Sequence, residues 1–217
     1  STQAKTLFPY TTLFRSYYAE NMETIADNIR EVQPTMFATV PRLLEKVYDK
    51  IMAKGNELTG FKRTLFFAAI DFGLQYDPMK KLGFLDSLKL SIYRKLIFSK
   101  WREALGGKIR LITSGSAALQ PRLSRVFWAA GIPISEGYGL TETSPVISVS
   151  RVEPIDFQVG CVGTVLDCLE LKIAEDGEIC VKGDSIMPGY YKNPEATAEA
   201  IDKDGWFHTG DIGEMVQ

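Results

Sequence analysis

Four short stretches carry side chains that could do chemistry on a nucleotide. Glu136-Gly137-Tyr138-Gly139 sets an aromatic ring between two glycines. Glycine lets a backbone approach a flat ligand closely, and an aromatic ring can stack on a nucleobase for about 1–3 kcal/mol. Glu136 could accept from an exocyclic amine. Alone, the Gly-Tyr-Gly triplet favours a plain turn. Thr141-Glu142-Thr143-Ser144 follows, with hydroxyls that can donate to phosphate oxygens and a carboxylate suited to Mg²⁺, a hard cation that takes one or two carboxylates and keeps several waters. A bare Thr-Glu-Thr reads equally as a helix N-terminal cap. Ser114-Gly115-Ser116-Ala117 is small at every position, so a ligand could lie against its backbone, or it is a strand-to-helix turn. Asp211 closes Gly-Trp-Phe-His-Thr-Gly-Asp, residues 205–211. Its two oxygens can hold both hydroxyls of a ribose, or it is an aspartate in a Gly-flanked turn. Trp206, Phe207 and His208 read as packing residues, since nothing neighbouring in sequence orients His208 as a general base.

The elements that must position these groups follow from spacing. Helical periodicity appears over Met22–Glu31, and Thr35–Val40 reads as a short strand between prolines. Pro41 opens a helix with Leu44, Val47, Tyr48 and Ile51 as its stripe, which Gly55–Gly60 should break. Phe61–Leu74 and Asp86–Leu105 read as further helices, the latter stopped by Gly106-Gly107. Then strand, Gly/Ser turn, helix (Pro121–Ala130) and a second strand ending in a Gly-rich turn succeed one another, as in a parallel α/β sheet. Such sheets bind ligands at the carboxyl ends of their strands. Both Gly-rich turns, after Ile112 and after Ile134, lie there. Beyond about residue 150 helices nearly vanish, and residues 160–166, 168–174 and 177–183 read as short strands of an antiparallel unit or barrel. Asn193–Ile201 alone returns to helix.

Composition narrows the class. The chain has 217 residues, 45% hydrophobic and 24% charged, which is ordinary globular composition. A net charge of −2 excludes a sequence-independent nucleic-acid binder. Cys161, Cys168 and Cys180 lack metal-ligand spacing and fit reduced cytosolic thiols. With one histidine, a His-based metal cluster and a Ser-His-Asp triad are not expected. No apolar run reaches the roughly 18 residues of a spanning helix. Leu82–Trp101, with Lys89, Arg94, Lys95 and Lys100, could lie on a membrane surface. A core-packing helix with a solvated basic face is the favoured reading. The expected location is cytoplasmic, with a peripheral membrane contact left open.

Three motifs in order, Tyr138–Pro145 (YGLTETSP), 177–197 (GEICVKGDSIMPGYYKNPEAT) and 204–213 (DGWFHTGDIG), resemble the adenylate-forming acyl-CoA synthetases. The likeness extends over 17–217. The helical segment between Pro34–Ile51 and LITSGSAAL resembles in particular the long-chain fatty acid–CoA ligases. The resemblance implies part of the large N-terminal domain of such an enzyme. That is a layered α/β subdomain (17–150) followed by a small β-barrel-like subdomain (151–217). It implies a two-step reaction, in which fatty acid and ATP·Mg²⁺ give acyl-adenylate and pyrophosphate, and CoA then takes the acyl group. Carried onto matching positions, Tyr138 stacks on adenine between Gly137 and Gly139, and Glu136 contacts its amine. Thr141 contacts phosphate and Glu142 holds Mg²⁺, the two catalytic assignments. Asp211 clamps ribose. Ser114, Gly115, Ser116 and Ala117 line adenine and acyl group, and the segment around Gly131–Gly137 walls the acyl pocket. A fatty acyl-AMP ligase and a non-catalytic adenylate-binding remnant are the alternatives.

Departures from the family pattern accompany the matches. The Ser/Thr/Gly-rich phosphate loop with its lysine and the C-terminal domain with its catalytic lysine are not in this sequence, and Lys203, which precedes the third motif, is not that lysine. Charge stabilisation is often the largest catalytic term, so this 217-residue piece is expected to be inactive. Thr6–Ser16 (TLFPYTTLFRS) matches the in-frame translation of a sequencing adapter, which sets residues 1–16 apart as an artefact.

Overall fold

Apolar stripes at helical spacing dictate the first half of the chain. A computed structural model describes residues 15–152 and 155–216. The adapter-like segment lies outside the described residues except for Arg15 and Ser16. The chain divides into two compact units between Ile134 and Ser135.

In the first unit, Asn21 Oδ1 accepts from Glu23 N at 2.8 Å and Thr24 N at 3.0 Å. This side-chain turn takes up the residues expected to begin a helix at Met22, so α1 spans Ile25–Val32. Strand β1 (Met36–Thr39) and helix α2 (Pro41–Glu57) follow, with Pro41 in the first turn of α2. The break expected over Gly55–Gly60 falls after Glu57, so Gly55 itself is still helical. The helix passes through it, and the missing Cβ lets the Phe66 ring of α3 (Gly60–Gln75) close on the backbone. The expected helix 86–105 is present as α4 (Phe84–Tyr93), a wider π turn (Arg94–Phe98) and α5 (Ser99–Ala104) in one run. Lys89 pairs with Asp86 at 3.1 Å and Lys100 with Glu103 at 3.3 Å on its exposed face. Arg94 departs from the expected solvated face. Its Nε donates to Ala129 O at 2.9 Å and its Nη2 to Trp128 O at 3.3 Å, at the C-terminus of α6 (Pro121–Ala129). There a cation meets orphan carbonyls and the negative end of the helix dipole. Trp101 anchors the core, edge-on to Tyr48 (6.4 Å), Phe98 (5.3 Å) and Phe127 (5.6 Å), the geometry aromatic quadrupoles prefer.

Strand β2 (Leu111–Ser114) runs parallel to β1, with Met36 opposite Leu111 and Thr39 opposite Ser114. After α6 the chain returns, and Ile112 N donates to Pro133 O at 3.0 Å. Parallel pairing with a helical crossover is the α/β arrangement expected from the pattern.

The second unit is mostly antiparallel. Strand β3 (Ile134–Tyr138) enters it and pairs with β4 (Ser148–Val149). Strands β5 (Arg151–Val152) and β6 (Ile155–Asp156) pair with each other, and β7 (Thr164–Val165) pairs with β4. The strand expected over 160–166 is only two residues long, because Gly160 and Gly163 adopt left-handed φ of 86° and 87° that no strand accommodates. A three-stranded sheet has β9 (Glu178–Gly183) between β8 (Leu169–Ile173) and β10 (Phe207–Ile212). Helix α7 (Pro194–Ala200) is capped by Asn193 Oδ1, which accepts from Ala196 N at 3.1 Å. Ile147, Leu169 and Val181 form this unit's core. Among the described residues, no helix is long and apolar enough to cross a membrane.

Candidate functional site

In the second unit, Tyr138 and Asp211 meet although 73 residues separate them. Tyr138 ends β3, and its hydroxyl donates to Asp211 Oδ2 at 2.7 Å. Burial pushes the phenol up to about 12; a hydrogen bond with Thr209 opposes this, and the Asp211 bond and charge add to it. The group therefore stays a protonated donor at neutral pH. Gly137 and Tyr138 pair with Val149 and Ser148, so both lie in the ladder and the turn starts only at Gly139. A Cβ on Gly139 would collide with Pro145 O, which explains the glycine by close approach. Glu136 is buried, with 6% of its surface exposed.

Thr141–Thr143 forms a single 3₁₀ turn. The helix-cap alternative fails because Ser144 turns left-handed (φ 55°) and Pro145 follows. Thr143 is fully buried. Its hydroxyl accepts from Leu140 N at 3.0 Å and donates to Pro145 O at 2.8 Å. It is spent on the turn rather than offered to phosphate. Thr141 stays exposed. Glu142 is half-buried, and its Oε1 accepts from Tyr190 OH at 3.1 Å. That bond pushes the Tyr190 phenol up. The Glu142 carbonyl accepts from Met187 N at 2.7 Å. Sequence reasoning gave Tyr190 no role; the available signal was its place in the second motif. One carboxylate with lone pairs remaining fits Mg²⁺ delivered on substrate phosphates.

In the first unit, the Ser114–Ala117 loop leaves the carboxyl end of β2. Gly115 N donates to Thr39 O at 3.3 Å, and Ser116 takes a left-handed φ of 69°. Ser114 is 4% exposed, and its hydroxyl has no hydrogen-bond partner among the described residues. A buried hydroxyl without a partner costs about 1–3 kcal/mol, so a polar group entering the loop would gain there. Ser116 and Ala117 are exposed. Of the segment expected to wall an acyl pocket, Ile132 and Ile134 are fully buried in the core.

A further cluster forms on β9 and β10. His208 lies opposite Cys180, and its Nδ1 meets Glu178 Oε2 at 2.6 Å. Asp202 Oδ2 lies 3.7 Å from Nε2. His208 is therefore oriented after all, chiefly by Glu178, thirty residues earlier. Its bond to Glu178 raises the imidazole, with burial opposing; the same bond and one from Gly210 N hold the Glu178 carboxyl low. Burial and Glu178 push the Cys180 thiol up, which leaves it inert. The ligand atoms of Glu178, Cys180 and His208 lie within 4.8 Å of one another, a grouping the sequence spacing did not suggest. The short bond between His208 Nδ1 and Glu178 Oε2 makes the arrangement an imidazole–carboxylate hydrogen bond. Trp206 packs beneath Lys172, whose Nζ lies 4.2 Å from the ring centroid.

Comparisons with known proteins agree with the motif order. The AMP-binding enzyme family pattern matches residues 9–191. Long-chain-fatty-acid–CoA ligase 1 of Cavia porcellus is 37% identical over 213 residues, 92% of this chain and 29% of the relative. The peroxisomal long chain acyl-CoA synthetase 6 of Arabidopsis thaliana is 37% identical, over 91% of this chain and 29% of the relative. The chain thus spans just under a third of these relatives. Among solved structures, a malonyl-CoA ligase ternary product complex with methylmalonyl-CoA and AMP superposes with a TM-score of 0.55 and 25% identity, covering 88% of this chain and 33% of that one. The A-PCP didomain of a carboxylic acid reductase from Segniliparus rugosus, in complex with AMP, gives 0.60 at 24% identity over 89% and 24%, a likeness of fold.

Proposed function

Because the chain belongs to the AMP-binding enzyme family, we propose that it is part of a ligase that activates long-chain fatty acids. ATP and the fatty acid give an acyl-adenylate and pyrophosphate; the thiol of CoA then attacks the acyl carbon and AMP leaves. The hydrogen bond from Tyr138 to Asp211 carries this reading, because it joins the ends of two motifs on one surface of the second unit. In it, Asp211 accepts from the ribose hydroxyls and Tyr138 lies against the adenine, with Glu136 reaching the exocyclic amine. Thr141 donates to a phosphate oxygen. Glu142 would hold Mg²⁺, which supplies charge neutralisation at the phosphates, and Tyr190 steadies that carboxylate from the other side. In the first unit, the small-residue loop Ser114, Gly115, Ser116 and Ala117 offers the buried, unpartnered Ser114 hydroxyl to a polar ligand group. The names of the similar curated proteins support a long-chain acyl group and CoA as acceptor.

The test uses the full-length protein with ATP, CoA and a C16 fatty acid. Thioester formation with stoichiometric AMP release is the expected result. Pyrophosphate release without a thioester would favour an acyl-AMP ligase, and ATP binding without either product would favour a non-catalytic adenylate binder. In the same protein Asp211→Ala should raise the KM for ATP by on the order of a hundredfold, the loss of two charge-assisted hydrogen bonds.

A further inference from the structure

We infer that Glu178 is a positioning residue for the ribose-binding turn, fastening it through Gly210 N and the His208 ring. The inference rests on the reading of Asp211 as the ribose acceptor. Strand β10 departs from regular pairing where that aspartate lies: His208 pairs with Cys180 and Ile212 with Glu178, so β10 advances four residues while β9 advances two. Such a bulge leaves backbone groups without ladder partners and re-aims side chains. Here side chains replace the ladder. Glu178 Oε1 accepts from Gly210 N at 2.9 Å, and Oε2 meets His208 Nδ1 at 2.6 Å. Thr209 Oγ1 donates to Ile179 O at 2.8 Å and accepts from Asp211 N at 3.1 Å.

One carboxylate therefore grips the bulge on both sides of Thr209, immediately before Asp211. Gly210 needs a left-handed φ of 73°, though a Cβ there would meet nothing within 4 Å. The turn is thus held by conformation and by the side chains of Glu178 and Thr209, not by crowding. Asp211 itself is exposed, and Tyr138 holds one of its oxygens. The groups facing His208 are Glu178 and Cys180 on β9 and Asp202 after α7. Lys172 on β8 acts on Asp202 and Cys180.

The experiment measures calorimetric affinities of this chain for AMP and for 2′,3′-dideoxy-AMP, which differ only in the ribose hydroxyls. Wild type should prefer AMP by on the order of tenfold or more. Glu178→Ala should bring that ratio near one while affinity for dideoxy-AMP stays unchanged, a split that general loss of structure would not produce. Glu178→Gln adds an arm that depends on pH. With neutral His208, the amide can donate to Nδ1 and still accept from Gly210 N. With protonated His208, its one oxygen must serve the imidazolium, and Gly210 is released. The AMP preference of this variant should therefore survive at high pH and fall as pH drops through the histidine titration, while that of wild type stays constant. If Asp211→Asn abolishes the preference but both Glu178 variants keep it at every pH, the inference is overturned and the ribose reading stands. If wild type shows no AMP preference, or no binding, the ribose reading falls and the inference with it.

Discussion

At the residue scale, the proposed ligand contacts of the second unit differ in their surroundings from the groups that would aim them. Asp211 is exposed, with Tyr138 and Glu142 half-buried and bonded to Asp211 and Tyr190, whereas Thr143, Glu178 and His208 spend their polar atoms on the backbone or each other. The His208–Glu178 pair has a pH signature. The raised histidine contributes stability that is complete below its ordinary value of about 6.5 and is lost as pH rises through its folded value. The lowered glutamate contributes above about 4.3 and loses this as pH falls through its folded value. The difference in melting temperature between wild type and His208→Gln should thus be largest near pH 5–6 and shrink toward pH 9. Circular dichroism melts across that range measure it; a difference that grew with pH would contradict the assignment.

At the element scale, three short connections hold the site and the core. Gly139→Ala drives a methyl into Pro145 O and should cost about 1–3 kcal/mol, the usual range for overpacking. Thr143→Val leaves Leu140 N and Pro145 O without their partner and should cost about 1–3 kcal/mol. Arg94→Met removes the cation from the α6 C-terminus for a similar loss. Urea midpoints of the three variants test these values, and a change under about 0.5 kcal/mol, the range of ordinary surface substitutions, would refute the corresponding role. The α4–α5 run also has a second apolar stripe. Leu85, Leu88, Ile92 and Leu96 are 68%, 52%, 43% and 52% exposed, spaced to share one helix face. The double substitution Leu88→Glu/Leu96→Glu should lower binding of an anilinonaphthalene dye without lowering the melting temperature.

At the scale of the whole molecule, ligand binding should be visible as stability. AMP at a hundred times its Kd adds about 2.7 kcal/mol, and a chain of this length gains roughly 2–4 °C per kcal/mol. Scanning calorimetry with and without AMP checks this, and Asp211→Asn should remove most of the shift. The same titration with dideoxy-AMP should give a smaller one.

What the sequence by itself determined was element type and motif identity. A periodic stripe located α2, composition α3 and opening prolines α6 and α7; the strand–helix–strand order read as α/β, and motif order marked Tyr138, Glu142 and Asp211. These signals are local, carried by residues a few positions apart. Tertiary structure decided the rest. Gly55 has no room for a Cβ because the ring of Phe66, eleven residues on, closes on it. Arg94 leaves the solvated face because carbonyls of α6 lie within its reach. His208, without an orienting neighbour in sequence, acquires one when β9 brings Glu178 alongside. Tyr190 joins Glu142 across 48 positions. A hydrogen bond or a close contact depends on placement to within about an ångström, and that is settled only when strands pair and helices pack.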